Sequence, residues 1–84
     1  MKSLHIIRNI EDQLACSAIR SSSNAEDALL LMQDGVYGEF QLDSVKIYAC
    51  QEDLLARNIK KEYQPVSYQE IAKMIIEYDR TIVW

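Results

Sequence analysis

The side chains of greatest intrinsic nucleophilicity in this chain are two cysteines, Cys16 and Cys50, which stand 34 residues apart with no Cys-x-x-Cys spacing. No local redox pair is encoded. Cys50 closes the apolar run Val45-Lys46-Ile47-Tyr48-Ala49 and precedes Gln51-Glu52-Asp53, so it falls where a strand ends and a helix begins. Unpaired backbone N–H groups at such a junction favour a thiolate, whereas the carboxylates of Glu52 and Asp53 within one turn oppose it. Cys50 is thus either a nucleophile or a small buried apolar side chain, and the second reading, ordinary for a cysteine, takes precedence. Cys16 sits on a predicted helix with Asp12 and Arg20 as helical neighbours. Its two readings, an accessible thiol and a packing residue at the edge of a helical stripe, both stand.

The stretch Ala28-Leu29-Leu30-Leu31-Met32-Gln33-Asp34-Gly35-Val36 delivers a second polar element. An apolar run that ends abruptly in Gln-Asp-Gly reads as a buried strand handing over to a turn, and open α/β sheets meet their ligands at the carboxyl ends of their strands. Gly35 is expected to supply a positive φ in that turn. Asp34 is open to a turn-capping hydrogen bond or a contact across a subunit interface; nothing supports catalysis by Asp34 alone. His5 is the single histidine, and inside an apolar strand it reads as a satisfied core residue. No Cys, His or Asp cluster has metal-ligand spacing, and neither Gly-x-Gly-x-x-Gly nor a Walker sequence occurs. Neither a metal nor a cofactor is expected.

These residues must be positioned by a short series of elements. Ser3 to Ile7 reads as a buried strand. Asn9 with Asp12 offers a cap for a helix from about Ile10 to Arg20 with a stripe of Ile10, Leu14, Ala15, Ala18 and Ile19. The polar loop Ser21 to Asn24 separates it from a strand over Asp27 to Met32. Val36 to Leu42, with Gly38 inside, is either a short helix or an irregular crossover. A strand over Val45 to Ala49 leads to a helix from Gln51 that Asn58 closes, with Glu52 and Asp53 suiting the positive end of its dipole. Lys60 to Gln64 reads as a charged surface connection, and Pro65 fixes an extended lead into Val66. Ser67 with Glu70 forms a capping box, with Val66 and Ile71 as its hydrophobic staple. The helix so started has an apolar face of Tyr68, Ile71, Ala72, Ile75 and Tyr78, and Thr81-Ile82-Val83 reads as a closing strand. Alternating strands and helices predict an α/β fold: one small domain over residues 1–84, a mostly parallel twisted sheet flanked by helices.

A chain of 84 residues buries roughly 60 to 65% of its unfolded surface, which leaves modest stability and makes a partner surface useful. With 49% hydrophobic and 26% charged residues but only two glycines and one proline, the composition is that of an ordered globular protein. Nine basic residues face thirteen acidic ones for a net charge of −4, and apart from Lys60-Lys61 the basic ones are scattered. That is no footprint for a nucleic-acid backbone, so any role in RNA chemistry has to run through partner proteins. The apolar stretch Leu4 to Ile7 is too short for a signal peptide and no run approaches a membrane span. A cytoplasmic protein with reduced thiols is expected.

The segment Leu30-Leu31-Met32-Gln33-Asp34-Gly35-Val36, followed by Lys46-Ile47-Tyr48-Ala49-Cys50-Gln51-Glu52-Asp53-Leu54-Leu55-Ala56-Arg57, resembles the DsrH/TusB family of small bacterial sulfur-relay subunits. Leu4-His5, Val66-Ser67-Tyr68 and Trp84 resemble further landmarks of that family in the same order. The resemblance covers nearly the whole chain and implies a DsrE/DsrH-like fold. It implies an accessory subunit of a cytosolic sulfurtransferase complex that passes persulfide sulfur toward 2-thiolation of the tRNA wobble uridine. In such a complex the chain joins two related small α/β subunits, one of which carries the main acceptor cysteine, and the heterotrimer pairs into a hexamer. The DsrH branch carries a cysteine on its first helix, which makes Cys16 the candidate persulfide carrier and Cys50 the second choice. Two other readings stand beside this one: a homo-oligomeric α/β binding or regulatory module without transfer chemistry, and a DsrH-type subunit of a sulfur-oxidation complex.

Overall fold

A computed structural model describes residues 2–9, 13–22, 26–38, 40, 45–60 and 62–84. Five strands form one sheet: β1 Ser3–Ile7, β2 Ala28–Leu31, β3 Lys46–Cys50, β4 Gln64–Val66 and β5 Arg80–Val83. They lie in the order β4-β3-β2-β1-β5, and all four pairings are parallel. Among the described residues three α-helices accompany them: α1 Gln13–Ser22, α2 Gln51–Ala56 and α3 Tyr68–Glu77. A short 3-10 helix, Gln33–Tyr37, follows β2.

β1 and β2 are buried along their whole length, as expected of central parallel strands covered on both faces. Their side chains divide by the two-residue period of a strand. Ile7, Leu29, Leu31 and Ala49 point to one face, where they pack with Ile19 of α1, Leu54 of α2, Val36 and Phe40. Leu4, Ile6, Ala28, Leu30, Cys50 and Val66 point to the other and meet Ile71 and Met74 of α3. Right-handed crossovers explain the split. The chain steps one way across the sheet from β1 to β4, which keeps α1 and α2 on the first face. It then returns over the whole sheet to β5, which places α3 on the second.

Helix ends follow local chemistry. At the start of α3 the Ser67 hydroxyl accepts from Glu70 N–H at 3.2 Å, and the Glu70 carboxylate accepts from Ser67 N–H at 3.1 Å. The predicted capping box is therefore present. Asn58 closes α2 in the left-handed conformation, φ 53°. Ile59 N–H donates to Leu54 O and Asn58 N–H to Leu55 O, the paired bonds of a Schellman motif, with Ile59 packed on the core that holds Leu54.

Three expectations change, and the choice left open at Val36 to Leu42 narrows. Gln64–Val66, read as connection and lead-in, is an edge strand; Pro65 is tolerated there because an edge position spares one backbone donor. α1 runs through Ser21 to Ser22, where a loop was expected. The Val36 to Leu42 segment begins inside the 3-10 helix, and Phe40 is fixed by Tyr63, whose hydroxyl accepts from Phe40 N–H at 3.0 Å and donates to Phe40 O at 3.1 Å. On α3 the buried line is Ile71 and Met74 with half-buried Tyr78, while Tyr68, Ala72 and Ile75 are exposed. The apolar stripe of this helix is wider than the line along which one helix touches a sheet. The expected first turn of α1, residues 10–12, and Ser23 and Asn24 of the polar loop lie outside the described residues, as do the side chains of Leu14 and Ala15.

Candidate functional site

β3 and β4 are neighbours, yet the helices that follow them leave for opposite faces of the sheet. Their carboxyl ends, paired at Cys50 and Val66, are therefore the switch point at which an open parallel sheet forms a crevice. Cys50, Ser67 and Tyr68 stand there, and the turn after β2 lies one strand away.

Cys50 is the last residue of β3 and the N-cap of α2, and it is fully buried in the core beneath α3. Burial pushes its thiol up, and the Asp53 carboxylate adds to that; the N–H groups of Asp53 and Glu52 at the helix start pull the other way and do not prevail. The thiol is protonated at neutral pH and out of reach of solvent. Tyr68, more than half exposed, sits beside it, and Cys50 first and Asp53 next hold the phenol above its ordinary value.

Cys16 differs on each count. It is half-buried on α1, packed at the edge of the other core cluster. Its side chain belongs to the face opposite that of Cys50. The two thiols are therefore separated by the sheet and cannot act on one another.

The Gln-Asp-Gly turn is tied to α2 by charge. The Arg57 guanidinium donates to Asp34 Oδ1 through Nε at 3.2 Å and Nη2 at 3.1 Å, and to Asp53 Oδ1 through Nη1 at 3.2 Å. The second Asp53 oxygen accepts from Gln33 N–H at 2.7 Å. Gln33 holds the positive φ, 52°, and no described glycine has one. The expectation for Gly35 is corrected accordingly: a Cβ there would collide with the carbonyl oxygen of Ile7 and lie 3.0 Å from its carbon. Glycine is needed because the turn presses on the end of β1, where Met32 N–H also donates to Ile7 O. Asp34 forms an ion pair within the chain; Asp53, Arg57 and Tyr37, over whose ring the guanidinium lies at 5.9 Å, complete the group. Sequence reading left out Asp53–Arg57, although its four-residue helical spacing was a usable signal.

His5 is buried as expected but only half satisfied. Its Nδ1 accepts from Trp84 Nε1–H at 3.4 Å, and among the described residues its Nε2 has no hydrogen-bond partner. Among the described residues no three His, Cys, Asp or Glu side chains are placed to hold a metal ion, and no helix is long and apolar enough to cross a membrane.

The geometry is that of a small α/β domain with a five-stranded parallel sheet whose Gln-Asp-Gly turn is braced by Asp53 and Arg57. Its kinship is explicit: residues 11–81 match the family described as DsrH like protein, and the chain belongs to that family. Membership points to a small subunit related to sulfur relays. Two solved structures share the fold. Protein Tm0979 from Thermotoga maritima is 25% identical, with a TM-score of 0.65 over 90% of this chain and 92% of that one. The ychN protein from E. coli, 17% identical, superposes with a TM-score of 0.68 over the full length of both. No curated protein sequence matches the chain.

Proposed function

We propose that this chain is a TusB-like accessory subunit of a sulfur-relay complex, acting in the cytoplasm to help pass persulfide sulfur toward 2-thiolation of the tRNA wobble uridine. The observation that carries the reading is the DsrH-like family match across residues 11–81. The buried, protonated Cys50 and the half-buried Cys16 support a mainly structural contribution, with Cys16 as an auxiliary sulfur site. The partners are two related small α/β subunits, in a heterotrimer that pairs into a hexamer, and one of them presents the acceptor cysteine. With a net charge of −4 and scattered lysines, the chain leaves the tRNA backbone to those partners.

Native mass spectrometry of the chain with its two partner subunits tests the assembly: a stoichiometric complex is expected, and a chain that stays apart refutes the reading. Incubation with a persulfidated donor and mapping of the added sulfur on Cys→Ser variants tests the chemistry. An adduct lost in Cys16→Ser is expected if sulfur is carried; one that survives it and vanishes in Cys50→Ser reverses the assignment. The cysteine on α1 also favours a second reading, a DsrH-type subunit of a sulfur-oxidation complex. The partners captured by the chain distinguish the two.

A further inference from the structure

The chain has one histidine and one tryptophan, and the fold brings them together across 79 residues of sequence. Their rings lie stacked, with centroids 6.4 Å apart and planes inclined by 23°. His5 is 2% exposed. Because its Nδ1 accepts from the Trp84 indole, the neutral ring carries its proton on Nε2. Among the described residues that N–H has no hydrogen-bond partner, and Oδ2 of the buried Asp27 lies 3.9 Å from it. The other Asp27 oxygen is held by Ser3 N–H at 2.9 Å. On the β5 side the charge facing the imidazole is Arg80, whose Nε donates to Ser3 Oγ at 2.7 Å. Arg20, the charged residue among the described side chains of α1, is exposed.

We propose that His5, Asp27 and Trp84 form a proton-operated latch in which uptake of one solvent proton at His5 Nδ1 breaks the Trp84 hydrogen bond and draws Nε2–H onto Asp27, releasing the indole. A protonated imidazole has a donor at both nitrogens, so Nδ1–H would face the indole N–H, donor against donor. No covalent bond other than N–H is formed and no electron moves. The same protonation gives the Nε2–H a reason to close its 3.9 Å gap, since it becomes half of an ion pair. The backbone of Trp84 stays attached, its N–H donating to Ile6 O at 2.9 Å. Only the side chain swings, and it uncovers the part of the first core cluster against which it packs. Burial, opposed by Asp27 and assisted by Arg80, holds the imidazole below its ordinary 6.5, which puts the transition on the acid side of that value.

Trp84 fluorescence followed against pH reads the latch directly, with the His5 ring protons titrated by NMR in the same samples. The expected result is an emission change that shares its midpoint with His5, while far-UV circular dichroism stays constant. Emission that is flat through the His5 titration overturns the proposal, and so does a change that coincides with loss of the circular dichroism signal. Asp27→Asn, which removes the ion-pair partner, is expected to move the emission midpoint to lower pH; an unchanged midpoint refutes the part given to Asp27. Should that variant fail to fold, the indole N–H resonance of the unaltered chain decides. It must lose its protection from solvent exchange as His5 protonates, and retained protection overturns the latch.

Discussion

Two polar clusters brace this small sheet, and they do so under opposite conditions. At the carboxyl edge, Arg57 joins Asp34 and Asp53, and Asp53 in turn takes Gln33 N–H; these donors and acceptors are matched and the Asp34 side chain is 62% exposed. In the interior, His5, Asp27 and Ser3 are joined, with exposed Arg80 reaching in to Ser3; the His5 and Asp27 side chains are at 2% and 3% exposure, and among the described residues His5 Nε2 goes without a hydrogen-bond partner. Water would compensate a loss at Asp34, while nothing would compensate a loss in the interior. Similar residues therefore fix a surface turn in one place and set a condition on the whole fold in the other.

The largest expected effect breaks the interior cluster. Asp27→Ala strands Ser3 N–H and takes the carboxylate away from His5, and should cost about 2 to 4 kcal/mol in denaturant unfolding. Next comes the backbone on which the edge cluster stands. Gly35→Ala drives a Cβ into the Ile7 carbonyl and should cost about 1 to 3 kcal/mol, as forced overpacking does; a neutral result would mean that the turn does not press on β1.

The pH dependence of stability sharpens the contrast further. His5 has a folded pKa below its unfolded 6.5, so the unfolded chain binds the proton more readily. Its contribution is whole above 6.5 and declines as pH falls from there toward the folded value. Unfolding midpoints measured across this window should fall with acid in the native sequence and lose that slope in His5→Gln. The smallest effect is expected from Arg57→Met, which removes the bridge to exposed Asp34, screened by salt, together with the partly buried pair to Asp53. Its midpoint shift should lie below the others and shrink further at high ionic strength.

What could be read from the chain was what is local. The Ser67–Glu70 capping box and the closure of α2 at Asn58 depend on neighbours within a few residues, and both are found where the sequence puts them. The order of strands and helices was legible for the same reason. The balance at Cys50 was half legible: the acids at 52 and 53 were visible, but the leading cause of its raised thiol, burial under α3, depends on a crossover from β4 to β5. Gly35 misled because glycine in a turn ordinarily means a positive φ, whereas here the constraint comes from Ile7, which only the sheet brings near. The partner of His5 lies 79 positions away, beyond any periodicity. Cys16 stands apart, since its family resemblance came from the sequence while its half-buried setting came only with the fold.

Pro65 carries a last consequence. Sheets that polymerise do so by adding strands at both rims, and each addition needs a row of backbone donors. The β4 rim of this sheet is three residues long and has an imide nitrogen at its centre, so a strand arriving there finds no continuous row to pair with. The β5 rim, Arg80–Val83, is the longer one. A body with one adhesive side can meet a copy of itself once, and growth then stops. Edge-to-edge association of this protein would thus end as a closed pair rather than a fibre.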